Sequence, residues 1–538
     1  MTVAQRLSLA DPAHRDQVPP GQVPPDPGPP DPARPHAVVI GAGVGGLSAA
    51  ALLAARGYGV TVVDPLEAPG GRACAHRQDG FVFDAGPTII TAPWLFETLW
   101  KDCGGTFADD VDLRPCLPFY RVRFDDGTWF DYSGDRAAME AEVARIDPVH
   151  GVAGYRGFME ESRRIYEVAF EEMADKPFHS LAVTAKALLG LVRLGGYRSV
   201  HSVVARHFRH EKLRTLFSFH PLLIGGNPFS ATSFYCLIAH LESKHGVHYA
   251  MGGTNALAAG IANLVRRNGG RIRLGETVET ILTEGRRATG VRLASGETIP
   301  ADIVVSNADP AITYGKLLAH LPRRRWTDGK IGRGDYSMGL FVWYFGTSRR
   351  YDAVHHHSMI FGPRYRGLLD DIFHRRRLAA DFSLYLHRPS AVDPAVAPAG
   401  CDSFYVLSPV PNLAGNADWA SEADIYRRRI ERRLEETVLP DLGRHIVSSR
   451  IATPIDFRDR LHSFQGAAFA LEPKLLQSAW FRPHNRSEEL DNLYLCGAGT
   501  HPGAGLPGVL CSARIVAGLV PDPVTLKARE GQARGGQT

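Results

Sequence analysis

The sequence predicts an α/β chain built on a discontinuous Rossmann-like nucleotide domain, joined to an α+β domain and a helical region. Three observations carry this prediction. Residues 36 to 64 (HAVVIGAGVGGLSAAALLAARGYGVTVVD) read as a strand, a glycine turn, a helix and a second strand ending in an acid. Residues 493 to 519 repeat the strand, turn and helix at the far end of the chain. Between them, VVSNA at 304 to 308 reads as a strand returning to the first sheet.

In the first unit, Val38, Val39 and Ile40 form the apolar run of a buried parallel strand, and Gly41, Gly43 and Gly46 follow at GxGxxG spacing. The first glycine permits the tight turn, the second lets the backbone approach a pyrophosphate, and the third packs the helix against the strand. A diphosphate would sit on the helix N-terminus, where unpaired N–H groups and the dipole favour negative charge. Asp64 ends the second strand, one helix and one turn beyond Gly46. The interval is close to the roughly 20 residues expected before a carboxylate that binds a ribose hydroxyl. Ala37 to Ala55 carries no charged residue, which is near the length of a membrane span, but its glycines and alanines fit the glycine-turn unit better.

Ahead of this unit, residues 1 to 35 carry ten prolines and few large apolar residues, the composition of a disordered, partly polyproline tail. After it, Gly70, Gly71 and Arg72 offer backbone amides and a guanidinium to a phosphate or a flavin edge. Asp84 to Thr88 reads as a strand end and tight turn. Residues 120 to 135 form a hairpin turning at Asp126 and Gly127, and a charged helix follows from 147 to 172. Between His179 and His210 there is no Asp or Glu, while Lys186, Arg193, Arg198, Arg206 and Arg209 punctuate an apolar run. Two readings stand: an interfacial helix pair lying on anionic lipid, or a helical cap with a basic rim.

A glycine turn, helix and Gly-Gly stop fill 251 to 270, and short strands turn at Glu284–Gly285 and Ser295–Gly296 before the return strand. From 311 to 480, strands (MGLFVWYFG, DFSLYLHRP, SFYVLSPV) mix with a charged helix (ADIYRRRIERRLEETVL) as an α+β substrate-side domain. Its arginine runs at 323 to 325, 375 to 377 and 427 to 429 read as solvated faces. His355, His356 and His357 are consecutive, so they cannot all face one ion from a strand or helix; a loop is expected and no metal. The division that follows is a nucleotide domain of 36 to 115, 246 to 310 and 481 to 520, a helical, membrane-facing region of 116 to 245, a substrate domain of 311 to 480, and a polar tail of 521 to 538.

Composition narrows the class. At 538 residues, 44% hydrophobic and 22% charged, the chain needs two or three soluble domains. A net charge of +4 argues against nucleic acid as a partner. The seven cysteines show no CxxC pair, which suits free thiols in a reducing compartment. The N-terminus has no apolar export core, so a cytoplasmic location is expected. The second glycine turn, Gly497 to Thr500 with a helix from Gly508, favours a flavin over a nicotinamide. An isoalloxazine needs its own helix N-terminus against negative charge at the reduced ring.

That last stretch also carries a resemblance. GAGTHPGAGLPGVL, preceded by FRPHNR and FALEPKLLQSAWF, resembles the C-terminal signature of bacterial and fungal-type phytoene desaturases of the amine-oxidase-like superfamily. SMGLFVWYFG, FGPRYRGLL, DFSLYLHRPSAVDPAVAPAGCDSFYVLSPVPNL and FSFHPLLIGGNPF are also similar to that family, and the likeness runs from about 36 to 520. The resemblance implies FAD, a C40 isoprenoid hydrocarbon substrate, attachment to the inner face of the cell membrane, and quinone or oxygen as electron acceptor. It implies desaturation of 15-cis-phytoene through phytofluene and ζ-carotene to neurosporene or lycopene. By position it implies FAD contacts from Gly41, Gly43, Gly46, Asp64, Gly71, Arg72, Val278, Gly499, Thr500, Gly508 and Val509. Some relatives carry an acid soon after the match to Pro177 and Phe178; here the next acid is Glu211.

Desaturating a hydrocarbon requires a flavin to take a hydride while an allylic proton leaves the neighbouring carbon. The chain must then supply a long apolar tunnel, for which the aromatic and aliphatic excess of 217 to 245 and 338 to 345 is suited. The side-chain candidates for proton acceptor are His501, in the flavin-edge turn, and His220. The alternatives are a sister desaturase or isomerase acting on a modified carotenoid such as hydroxyneurosporene, and a non-redox prenyl-lipid carrier of the same fold. The nucleotide fingerprint argues against the carrier.

Overall fold

Two sheets that border one cavity organise the chain. The computed structural model describes residue 28 and residues 31–171, 174–177 and 195–527. Most of the proline-rich stretch, residues 179 to 194 of the acid-free run and the end of the polar tail lie outside them.

The first sheet is parallel and five-stranded, in the order Leu493–Leu495, Ile303–Ser306, His36–Ile40, Gly59–Asp64, Arg271–Leu274. Its strands come from both ends and the middle of the chain, and Val38 pairs in register with both Val304 and Thr61. Both faces are covered, as near-continuous apolar runs require. Val39, Val62 and Val305 pack under the helices Val44–Ala55, Thr254–Arg267 and Leu506–Leu519. Val38, Val63 and Val304 face a three-stranded antiparallel layer of Val278–Glu284, Arg287–Leu293 and Thr298–Pro300. The uncharged run at 37 to 55 is thus a strand, a turn and a helix of 12 residues. Among the described residues no helix is long and apolar enough to cross a membrane.

The second sheet has seven strands, ordered Ile446–Ala452, Gly339–Thr347, Asp402–Val410, Leu384–His387, His357–Ile360, Tyr120–Arg123, Trp129–Tyr132. Pairing is antiparallel except between His357–Ile360 and Tyr120–Arg123, which run parallel. The hairpin read into the helical region therefore joins the sheet of the 311 to 480 segment. Strand Gly339–Thr347 is buried along its whole length, and its alternation splits two environments. Phe341, Trp343 and Phe345 pack against the helix Trp419–Thr437 through Tyr426, Ile430 and Leu434. Leu340, Val342 and Tyr344 point the other way, into the cavity.

Two local readings are refined. His355 and His356 lie in a loop as expected, but His356 is buried and His357 opens a strand. Arg375 and Arg377 are exposed, as a solvated face requires, and both also reach the buried Asp371, at 3.4 and 2.8 Å. All seven cysteines are free, and only Cys401 is not fully buried.

Candidate functional site

A cavity of about 580 Å³ runs from the glycine turn at 41 to 45, past the turn at 497 and 498, into the face of the seven-stranded sheet. The first turn is held by local chemistry. Gly41 has φ +98°, and a Cβ on Gly46 would overlap the Gly41 carbonyl oxygen. The helix Val44–Ala55 begins with no side-chain cap. Its first-turn N–H groups are left for a ligand, as a diphosphate site needs.

The two glycine bends meet. A Cβ on Gly45 would lie 3.1 Å from the Gly497 Cα and 3.0 Å from Val509 Cγ1, so the helix N-termini of both units share one corner. Asn307 joins them: its Oδ1 lies 2.6 Å from that same Cβ position, and a Cβ on Gly497 would strike it. The Asn307 N–H donates to the Ile40 carbonyl at 2.8 Å, fixing the side chain at the carboxyl end of the sheet, where open α/β sheets bind ligands.

At the far end of this cradle Asp64 lines the cavity, and it accepts from the backbone N–H groups of Ala42 at 2.6 Å and Leu66 at 2.8 Å. Burial pushes its pKa up while those two donors pull it back. Lys316, Arg460 and His462 line the same end. Arg72 donates to Ser463 Oγ at 2.9 Å and keeps its buried Nε without a hydrogen-bond partner among the described residues. The loop that follows is anchored by Asp84, which accepts from the Thr254 N–H and hydroxyl at 2.7 and 2.6 Å.

Of the residues singled out in the sequence, Gly41, Gly43, Asp64, Gly71, Arg72, Val278, Gly508, Val509 and His501 line this cavity. Gly46, Gly499 and Thr500 sit one layer behind. A Cβ on Gly499 would strike Pro310, and the Thr500 hydroxyl donates to the Gly497 carbonyl at 2.9 Å. His501 is buried beside Arg482, and burial first, then that positive charge, hold its pKa down to about 3. His220 does not reach the wall.

Beyond the bends the wall turns apolar: Leu222, Leu223, Phe234, Met338, Leu340, Val342, Met359, Phe361 and Leu407. Two polar features interrupt it and a third lies behind it, none anticipated from sequence. The Thr88 hydroxyl bridges Tyr385 and Tyr405 at 2.7 and 2.8 Å, and all three line the cavity. Behind Tyr385 stands His357, whose Nδ1 is 2.7 Å from the phenol, next to His356 and His387. His356, His357 and Cys116 bring ligand atoms within 4.8 Å of one another, so two of the three consecutive histidines do converge. The second feature on the wall itself is Glu242, fully buried on the helix Leu237–His245. A signal existed for it: it continues the stripe of Leu237, Ile238 and Leu241, where a solvated acid would not be placed. For Asn307 the signal was its position just past the end of a returning parallel strand.

This arrangement can hold a dinucleotide along the first bend and present its reactive ring, at the second, to an apolar substrate. The comparisons agree. The model for flavin-containing amine oxidoreductases matches residues 44–521. The chain is 50% identical over 491 residues to the neurosporene-forming phytoene desaturase of Cereibacter sphaeroides, covering 90% of this chain and 94% of that one. It is 46% identical to the lycopene-forming phytoene desaturase of Pseudescherichia vulneris, covering 90% and 98%. Among solved structures, cyclohexylamine oxidase from Brevibacterium oxydans superposes with a TM-score of 0.57 at 15% identity, over 92% of this chain and all of that one, a likeness of fold. The flavin dinucleotide that a paired cradle of this kind takes is FAD. The chain belongs to the flavin-containing amine oxidoreductase family and, within it, to the phytoene desaturases.

Proposed function

We propose that the chain is an FAD-dependent desaturase that converts 15-cis-phytoene, through phytofluene and ζ-carotene, to neurosporene or lycopene. The observation that carries this reading is the continuity of one cavity from the uncapped helix N-terminus at Gly43 to a wall of Leu, Met, Phe and Val. Such a wall offers a heteroatom-rich substrate few partners and suits a hydrocarbon. When bound, the flavin supplies the two-electron oxidant.

In this reading the first-turn N–H groups and Arg72 take the diphosphate, Asp64 takes the ribose, and the Gly508 and Val509 end of the last helix faces the ring. Gly41, Gly43, Gly71 and Val278 line the passage, while Gly46, Gly499 and Thr500 shape it from behind. These groups bind and orient; the apolar wall excludes water and aligns successive carbon pairs of the substrate.

Access from a membrane surface belongs to the same reading. Tyr197, Leu476 and Phe481 are 62%, 70% and 50% exposed. Their segments are tied together by the Ser233 N–H to Arg198 carbonyl bond, at 2.9 Å, and the Ala231 to Lys474 bridge. Ser478 and Ala479, between the last two, line the cavity. An exposed apolar patch beside a cavity mouth is what a peripheral enzyme uses to draw lipid from a bilayer. We place the protein on the inner face of the cell membrane, with quinone or oxygen as acceptor.

Expression in a phytoene-accumulating bacterial host tests the function. A coloured extract with the spectrum of neurosporene or lycopene is expected; a colourless extract that retains phytoene, from cells containing the folded protein, would overturn it.

A further inference from the structure

A carboxylate inside a hydrocarbon cavity is costly. Charge moved out of water is penalised by several kcal/mol unless something compensates, and buried acids are normally met by a guanidinium or ammonium. Glu242 is 0% exposed, and among the described residues no Lys or Arg pairs with it. Its Oε1 accepts from the Tyr120 hydroxyl at 2.6 Å, and its Oε2 lies 3.3 Å from Nε2 of His220, itself 2% exposed. Glu242 is also one of the residues that line the cavity. Tyr120 and His220 are not part of that wall, so Glu242 is the member of the trio that borders the cavity.

We propose that Glu242 is the proton acceptor of the desaturation, held by Tyr120 and relieved by His220. The proposal rests on the reading of the chain as a hydrocarbon desaturase. In the step, a C–H bond of one substrate carbon breaks and its proton goes to a Glu242 oxygen. The electron pair left behind becomes the new C=C π bond. The neighbouring carbon loses its hydrogen together with the electron pair of that bond, the two-electron oxidation that the flavin would supply when bound. The carboxylic acid so formed passes its proton to Nε2 of His220, and Tyr120 keeps the carboxyl in place throughout. Positive charge that develops on the substrate carbons is met by the same carboxylate.

The other ionisable groups on the wall suit the task less well. Asp64, Arg72, Lys316, Arg460 and His462 line the nucleotide end, and Asp309 already accepts from the Ala311 and Phe464 N–H groups at 3.0 and 3.4 Å. Tyr385 and Tyr405 are already hydrogen-bonded through Thr88, and burial raises their pKa values beyond use as anions. His501 is held neutral by burial and Arg482 and resists taking a proton.

The test uses the full-length FAD-loaded protein in liposomes, with Glu242→Gln, Glu242→Asp and His220→Asn. Glu242→Gln keeps the shape of the side chain and an oxygen for Tyr120. It is expected to lower kcat about 100-fold or more, the usual scale of a lost acid–base group, with KM and flavin content unchanged; Glu242→Asp recovers part of the loss. His220→Asn lowers kcat with KM unchanged. A second readout needs no turnover: binding of geranylgeranyl dimethylamine, a cationic prenyl chain, against neutral geranylgeraniol, to the FAD-loaded full-length protein. Wild type is expected to prefer the amine, and Glu242→Gln to lose that preference by at least about tenfold. Wild-type kcat in Glu242→Gln, or equal binding of amine and alcohol by wild type, overturns the proposal. If wild type itself forms no coloured product from phytoene, the desaturase reading fails instead, and the amine preference then reports only a charged cavity.

Discussion

The cradle at 41 to 46 and the wall formed by the seven-stranded sheet border the same cavity, yet they are built by opposite means. In the cradle the chemistry is backbone: amides at a helix start, glycines that leave room, and one acid held by two N–H groups. In the wall it is side chains brought from Thr88, Glu242, Tyr385 and Tyr405, each on a different segment, with Tyr120 and His357 behind them. A backbone site is intolerant of any added atom, whereas a side-chain site is tunable one group at a time.

The sharpest way to break this contrast is Gly46→Ala. The added Cβ would overlap the Gly41 carbonyl oxygen, so the turn cannot close and the protein should purify without flavin or fail to fold. A yellow, soluble variant would show that the cradle adjusts as freely as the wall.

Acid should separate the regions next. His356, His357 and His387 are buried behind the wall, and burial holds all three pKa values down, His356 to about 3 from 6.5. Unfolded, they gain protons below pH 6.5; folded, they do not, so stability is full above 6.5 and falls as pH drops towards 3. Between pH 7 and 5 His356 should cost about 2 kcal/mol of unfolding free energy. Denaturant midpoints at the two pH values measure this. His356→Asn should reduce the difference by about that amount, and an unchanged difference would mean that the imidazole is not held neutral.

Thr88→Val probes one group of the wall. It leaves the Tyr385 and Tyr405 hydroxyls without their shared partner and should cost about 1–3 kcal/mol, with flavin content intact. Loss of flavin instead would mean that wall and cradle fold as one unit. The smallest effect on the folded protein is expected from Leu476→Ser with Phe481→Ser: thermal stability and flavin unchanged, vesicle co-sedimentation lowered severalfold. Undiminished sedimentation would remove these residues from the membrane contact.

The same contrast explains what the sequence disclosed. Val38 to Ile40, the glycines and Asp64 state their geometry within the single stretch 36 to 64, because strand, turn and helix are local events. The return of 303 to 306 beside 36 to 40 was readable from an apolar run flanked by turns. The hairpin at 120 to 132 was legible as a hairpin, but not its partner strand, since parallel pairing with His357–Ile360 depends on contacts with a segment far along the chain. Glu242 and Asn307 were missed for the same reason. An acid next to a leucine acquires its role only when Tyr120 and His220 are folded against it. His220 drew notice as a histidine, yet it stands behind the carboxylate it touches.

Two bends from opposite ends of the chain hold one flavin against an apolar wall: that is the central claim. Anaerobic addition of phytoene in liposomes to the purified protein, followed by its visible flavin absorbance, tests it most directly. Loss of the oxidised flavin band in step with the first new double bond is expected. A flavin-loaded protein whose spectrum stays unchanged while desaturated product forms would contradict it.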